Sequence, residues 1–130
     1  MLRISNALLE QTLSHLHSEA PREGVGLWVG KGGRVERVIP LPNVHARPFS
    51  AYKAEPQALI RGVRGLEREG LELLAIYHSH PKGPVHPSQT DKTQAFWRVP
   101  YVILALETGE VRAYKLPEGE EVGVSVEGEK

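Results

Sequence analysis

Residues 73–81, LLAIYHSHP, carry the strongest structural signal of the sequence. Residues 73–77 form a continuous apolar run, which is typical of a central strand covered on both faces. Side chains two apart on a strand share one face, so His78 and His80 point to the same side where this strand ends. Pro81 prevents the strand from continuing regularly. The stretch therefore predicts a buried strand that ends in two converging imidazoles.

The patterns on either side of this strand predict an α/β fold. The apolar stripe of Leu9, Leu13 and Leu16 favours a first helix. The predicted elements are a helix from the cap Ser5 to about Glu19, hairpin strands over 23–29 and 34–39, a helix from Pro56 to Gly70, a short helix from Ser88 to about Trp97, and strands over 101–106 and 111–116. Residues 122–126 are interpreted as either a last strand or a frayed tail. The order predicts a sandwich in which a mixed β-sheet is flanked by two longer helices and one short helix.

Length and composition limit the class of protein. The 130 residues fit a single domain over 1–130. Sixteen basic and sixteen acidic residues balance, which excludes a nucleic-acid binder held by bulk charge. The absence of cysteine excludes disulfides, cysteine zinc sites and cysteine nucleophiles. With no long apolar segment and no secretory pattern, we expect a cytoplasmic protein that does not interact with membranes.

A metal site is one interpretation of the histidines after the central strand. Asp91, the only aspartate of the chain, follows His80 by eleven residues and lies in the first turn of the predicted short helix. Together with His78 and His80 it would supply three ligands and leave a fourth position open, as in catalytic zinc sites. Alternatively, the histidines are solvated and Asp91 only completes a helix cap with Ser88. The spacing leaves both interpretations open.

A second pair of histidines gives a contrast. His15 and His17 are also two apart, but they lie in a predicted helix. Side chains two apart on a helix point about 200° away from each other, so they cannot close on one ion. We therefore expect both to be surface residues.

Several segments resemble one known family. His78-Ser79-His80-Pro81, followed by Ser88 and Asp91, resembles the JAMM motif of the MPN-domain metalloproteases. Glu23 and the glycine-rich apolar run over 24–30 resemble the upstream element of that family, and Asn43, Pro48 and Phe49 resemble a further segment. The likeness extends from about residue 1 to residue 116. It implies an MPN-like sandwich, similar to that of cytidine deaminases.

The resemblance also implies a chemistry. It implies one zinc ion per chain, bound by His78, His80 and Asp91, with Glu23 as the general base and Ser88 as a donor to the oxyanion. Ser88 has a rival role as the N-cap. The implied substrate is the junction between an amine and the C-terminal tail of a ubiquitin-like modifier or sulfur-carrier protein that ends in Gly-Gly. Such a tail could bind extended, beside a sheet edge near the metal.

Two other functions remain as alternatives. One is a non-catalytic binding scaffold of the MPN type. The sequence argues against it, because the three metal-ligand positions and the position of the base all carry residues suited to those roles. The other is a zinc hydrolase of a small amide. The sequence leaves open whether His86 faces solvent or substrate, and whether Asn43 binds substrate or the backbone of its own loop. We expect Trp97 to serve packing, and the oligomeric state is not predicted.

Overall fold

An eight-stranded β-sheet with three α-helices makes up the fold of residues 1–128, the part of the chain that the computed structural model describes. The strand order is β7-β6-β5-β4-β2-β3-β1-β8. The strands are β1 (Leu2–Ser5), β2 (Val25–Lys31), β3 (Arg34–Leu41), β4 (Glu72–His80), β5 (Tyr101–Ala105), β6 (Val111–Lys115), β7 (Glu120–Val122) and β8 (Val124–Glu127). The helices are α1 (Asn6–Glu19), α2 (Pro56–Val63) and α3 (Gln89–Thr93).

The central strand lies where the apolar run predicted it. β4 pairs antiparallel with β2 and parallel with β5, so the prediction of a mixed sheet is confirmed. Residues 74–80 of this strand are all buried. The strand is longer than the apolar run and includes both His78 and His80. The two histidines therefore belong to the rigid sheet rather than to the loop that follows.

The helices cover the two faces of the sheet, as expected for a sandwich. On one face, Leu16 of α1 packs in a core with Trp28 and Tyr77. On the other face, Leu59 and Val63 of α2 pack against a core formed by side chains of β2, β4 and β5. Ser5 caps α1 by accepting a hydrogen bond from the Leu8 amide, as predicted.

The prediction of one helix from Pro56 to Gly70 is wrong beyond Val63. Gly65 adopts a φ of +83°, which lies in the left-handed region and cannot continue a right-handed helix. A separate 3-10 turn follows over Glu67–Glu69, and Gly70 ends that turn. Gly62 does allow close packing, since a Cβ there would lie 3.0 Å from Leu27. The third helix is also shorter than predicted and ends at Thr93.

The terminal strands show a pairing that local patterns do not reveal. β1, which was not predicted, pairs in parallel with β8 through Leu2 and Val124. Of the two interpretations of residues 122–126, the strand is therefore the correct one for Val124–Glu127. Each of these strands has only four residues, and each is stabilised by a partner from the other end of the sequence.

In residues 1–128, none of the helices has the length and apolar character needed to cross a membrane.

Candidate active site

Strand β4 brings two of the predicted site residues together. Ile76 belongs to the core on the α2 side of the sheet, and Tyr77 belongs to the core on the α1 side. By the alternation of a strand, His78 and His80 face the α2 side with Ile76. Both are buried, and their ring centroids lie 5.2 Å apart.

The first turn of α3 supplies the carboxylate. Ser88 Oγ accepts a hydrogen bond from the Asp91 amide at 3.0 Å, and the Ser88 amide donates to Asp91 Oδ2 at 2.9 Å. This complete capping box fixes the side chain of Asp91. Asp91 Oδ1 lies 3.2 Å from His78 Nε2, and Oδ2 lies 3.1 Å from His80 Nε2. The cap and the contact with the histidines therefore occur together and are not alternatives.

The pairing of β2 with β4 positions Glu23. Val25 is the register partner of His78, so two residues earlier Glu23 lies across from His80. Between them, the Gly24 amide donates to Ser79 Oγ at 2.8 Å, and the Ser79 amide donates to the Gly24 carbonyl at 3.1 Å. The serine between the two histidines thus ties the segment of Glu23 to the strand that carries them.

Asn43 holds the same segment from the other side. Its Nδ2 donates to the carbonyls of Glu23 at 2.8 Å and Ala51 at 3.1 Å. Its Oδ1 accepts from the amides of His45 at 3.0 Å and Lys53 at 2.9 Å. All four hydrogen-bonding positions of this amide are used. Of the two roles left open for Asn43, the structure shows contacts to the backbone.

The four side chains form one group that fits a metal ion. Glu23, His78, His80 and Asp91 each offer a donor atom, and these atoms lie within 4.8 Å of one another. Tetrahedral ligands with bonds of roughly 2.0–2.1 Å stand roughly 3.3 Å apart, close to the two histidine–aspartate separations. Among the described residues, neither ring nitrogen of His78 nor Oε1 of Glu23 has a hydrogen-bond partner. Buried polar atoms without partners are uncommon, and a cation bound by the group would satisfy one ring nitrogen of His78.

The two carboxyl groups of this site differ in pKa. Burial raises the pKa of Glu23 to about 7, although His80 opposes this shift. Burial acts in the same direction on Asp91, but the two imidazoles outweigh it and hold the pKa of Asp91 well below its usual range. Asp91 is therefore an anion at neutral pH, whereas Glu23 is poised to exchange a proton.

The pKa values of His78 and His80 are shifted in opposite directions. Burial lowers the pKa of His78 despite the neighbouring Asp91, so its ring is neutral at pH 7. Burial would also lower the pKa of His80, but hydrogen bonds with Asp91 and with the Pro84 carbonyl raise it overall. His80 Nδ1 lies 2.7 Å from that carbonyl and donates to it. This bond directs Nε2 of His80 toward the centre of the group, the usual arrangement of a metal-binding histidine.

A cavity of about 600 Å³ opens beside the group. Glu23, His80 and Ser88 line it, together with Phe49 and His86. His86 is exposed and faces both this cavity and solvent. Tyr52, which is not among the predicted site residues, stacks its ring on His78 with centroids 4.3 Å apart. It carries no motif, and only the fold brings it to the site.

The histidines of α1 lie away from the group. His17 is exposed, as expected. The expectation for His15 is wrong, because this residue is half-buried and its Nδ1 lies 2.8 Å from the Tyr77 hydroxyl. Tyr77 belongs to the core on the α1 side of the sheet, so His15 and the four-residue group lie on opposite faces.

Comparison with known proteins identifies the family of the chain. The model of the family of prokaryotic homologues of the JAB domain matches residues 5–117. The chain belongs to this family. The probable TtuB-protein conjugate cleaving protease of Thermus thermophilus is 60% identical over 126 residues, which cover 97% of this chain and 83% of that protein. The desampylase of Haloferax volcanii is 29% identical, covering 91% of each chain.

A solved structure shares the fold. The structure described as "JAMM: a metalloprotease-like zinc site in the proteasome and signalosome" has a TM-score of 0.64, with 21% identity and 98% of each chain covered. The resemblance to the JAMM/MPN proteins and the predicted fold class are thus confirmed. The protein is an enzyme of the protease class, and a non-catalytic scaffold is not supported.

If the group binds a metal ion, removing one imidazole should release it. We expect purified protein to contain about one ion per chain, and His80→Ala to lose most of it, because two protein donors bind far more weakly than three. The measurement is metal analysis by plasma mass spectrometry after gel filtration. His17→Ala is the matched control, since it removes an exposed imidazole. Unchanged metal content in His80→Ala would contradict the assignment.

Proposed function

We propose that residues 1–130 form a single-domain, zinc-dependent isopeptidase that cleaves after the C-terminal tail of a ubiquitin-like modifier or sulfur-carrier protein. The observation that carries the proposal is the buried group of Glu23, His78, His80 and Asp91. The relatives support a protein conjugate as the kind of substrate, because the most similar of those reported above is named as a probable protease that cleaves TtuB-protein conjugates. A small amide as substrate finds no such support.

Three residues of the group would hold the metal. His78 and His80 offer nitrogen donors and Asp91 an anionic oxygen, a set that suits zinc. A zinc ion held by them supplies Lewis acidity, which activates water for attack on a carbonyl at neutral pH. The burial of all three side chains keeps bulk water from competing for their donor atoms.

Glu23 would act as the general base. Its Oε1 is buried and has no hydrogen-bond partner among residues 1–128, so it can accept a proton from the attacking water. The same carboxyl, once protonated, can return that proton to the leaving amine. The backbone bonds to Asn43 and Pro48 hold it in place.

Ser88 would stabilise the oxyanion. Its Oγ already accepts the capping hydrogen bond from Asp91, but this uses a lone pair and leaves the hydroxyl proton free to donate. Ser88 also lines the cavity that contains Glu23 and His80. The cap and the oxyanion contact can therefore coexist on one side chain.

The proposal is tested with a model conjugate. We expect the protein to cleave an isopeptide bond between a ubiquitin-like domain ending in Gly-Gly and the side chain of a lysine. A chelator should abolish cleavage and added zinc should restore it, as followed by gel electrophoresis and mass spectrometry. Rapid hydrolysis of small acyl amides, with the conjugate left intact under the same conditions, would contradict the proposed substrate.

Replacing Glu23 should lower the turnover rate and leave metal binding unchanged. Glu23→Gln keeps the shape of the side chain but cannot take up the proton, so we expect the turnover rate to fall at least ~100-fold. Metal content should stay near that of the wild type, because Glu23 is not assigned as a ligand. Glu36→Gln, which changes an exposed carboxylate, is the control. Near-normal turnover of Glu23→Gln would show that another group takes the proton, with His86 the next candidate.

Replacing Ser88 should distinguish its two roles. We expect Ser88→Ala to lower kcat by roughly 10–1,000-fold while metal stays bound, because the backbone amide of residue 88 still holds Asp91. Loss of the cap should also lower the free energy of unfolding by about 1 kcal/mol. Ser5→Ala is the matched control, since Ser5 caps α1 in the same way and lies away from the site. If both variants lose the same stability and keep normal turnover, Ser88 is only a cap.

A further inference from the structure

The Glu23 cavity, the space of about 600 Å³ beside the four-residue group, has a wall that is partly apolar and partly cationic. The apolar part consists of one aromatic ring and four prolines: Phe49, Pro21, Pro81, Pro84 and Pro87. Phe49 is 64% exposed, so its ring is available to a molecule in the cavity. The chemistry proposed above uses Glu23 and Ser88 and leaves the rest of this wall without a role.

The leaving group of the proposed reaction occupies this cavity. Glu23 lines it, and a general base that returns its proton to the released amine must contact that amine. The acceptor, which is the molecule that carries this amine, therefore extends along the wall away from Glu23. The methylene groups of an acceptor lysine would pack on Phe49 and the prolines, because long side chains bury their apolar stems against apolar surface.

The cationic part of the wall belongs to the loop that follows β4, residues 81–87. His80 Nδ1 donates a hydrogen bond to the Pro84 carbonyl of this loop at 2.7 Å. Val85 is 3% exposed and packs in the core on the α2 side of the sheet. Three of the seven residues are prolines, whose rings fix the backbone angle φ. The loop is therefore anchored at its centre, and the side chains that it directs outward have a fixed backbone.

Lys82 and His86 are exposed side chains of this loop, and both line the Glu23 cavity. The carboxylate of Glu107 accepts a hydrogen bond from the neighbouring Gly83 amide at 3.3 Å. In residues 1–128, the ammonium group of Lys82 forms no ion pair with Glu107 or with any other carboxylate. Glu23 is the only acidic residue in the lining, and it is buried within the four-residue group. The open part of the cavity therefore carries positive charge without a neighbouring anion.

A carboxylate of the acceptor would complement this charge. Lys82 supplies a cation with three N–H donors, and the ring of His86 can add a further N–H donor. Hydrogen bonds in which one partner is ionised are stronger than those between neutral groups. A protein acceptor offers such a carboxylate as Asp or Glu next to the conjugated lysine, and a single amino acid offers its own α-carboxylate. An acceptor with a cation at that position would instead be repelled.

We propose that the Glu23 cavity is an acceptor-binding site that selects leaving groups with a carboxylate close to the released amine. In this site Lys82 pairs with the carboxylate, His86 donates a second hydrogen bond to it, and Phe49 packs on the stem that carries the amine. The proposal rests on the proposed function, since it concerns the leaving group of the same reaction. It predicts a preference among acceptors that the metal-binding group alone does not create.

The first test varies the acceptor. One ubiquitin-like domain ending in Gly-Gly is joined to the lysine side chain of peptides that are blocked at both ends and carry Glu, Gln or Arg on both sides of that lysine. We expect kcat/KM for the Glu peptide to exceed that for the Arg peptide by roughly 3–10-fold, with the Gln peptide between them. The difference should shrink at high salt, because an exposed ion pair is screened.

A second arm of this test distinguishes the two sources of the carboxylate. The same domain is joined through a peptide bond to the α-amine of alanine or of alaninamide, which differ only in the α-carboxylate. A preference for the carboxylate in either arm supports the proposal and identifies the source. Equal kcat/KM within both arms would overturn it.

The second test reverses one charge. In Lys82→Glu we expect the order of the acceptors to invert, so that the Arg peptide exceeds the Glu peptide, and in Lys82→Gln we expect the preference to disappear. Lys31→Glu is the matched control, because it changes the net charge equally at an exposed lysine that does not line the cavity. It should keep the order of the wild type. If Lys82→Glu also keeps that order, Lys82 does not bind the acceptor and the proposal is wrong.

A binding measurement separates this proposal from the proposed function. The free acceptor peptides are products of the reaction, and their affinity is measured by nuclear magnetic resonance titration without any cleavage. If the protein cleaves no conjugate but binds the Glu peptide more tightly than the Arg peptide, and Lys82→Glu loses this difference, the acceptor site stands and the isopeptidase assignment fails. If it cleaves all conjugates at equal kcat/KM and binds the peptides equally, the acceptor site fails and the isopeptidase assignment stands.

Discussion

The register between β2 and β4 is the constraint on which the site depends. Because Val25 pairs with His78, the residue that precedes the paired segment by two, Glu23, is brought opposite His80. A shift of one residue would turn the side chain of Glu23 to the other face of the sheet. The reciprocal hydrogen bonds between Gly24 and Ser79 fix this register at the end of the strand pair. The same strand pair therefore provides both the core of the sheet and the geometry of the site.

Asp91 connects this sheet to α3. It accepts the capping hydrogen bond of a short helix and contacts both histidines of β4. A helix of five residues has little stability of its own, so its position depends on the cap and on the contacts that Asp91 makes. If Asp91 is a metal ligand as proposed, metal binding and the order of this helix are coupled.

The sequence predicts the parts of this structure whose signals are local. The apolar run over 73–77 predicts the central strand, and Ser5 predicts the start of α1. The spacing from His78 to Asp91 allows a metal site without deciding for it, and only the resemblance to the JAMM motif indicates Glu23. The sequence does not predict β1, whose four residues form a strand through pairing with β3 and β8, both distant in the sequence. Tyr52 likewise carries no local signal, since its stacking on His78 arises from a loop that the rest of the fold positions.

Asn43 and Tyr52 differ in how far their polar side-chain atoms are satisfied by hydrogen bonds. Both are buried and polar, and both lie next to the group of four residues. Asn43 satisfies each of its donors and acceptors with backbone atoms, so it stabilises the loop around Glu23 and has no capacity left for a ligand. The hydroxyl of Tyr52 has no partner among the described residues, which disfavours the free protein by about 1–3 kcal/mol. The hydroxyl of Tyr52 therefore keeps a hydrogen bond available beside the group, whereas the amide of Asn43 does not.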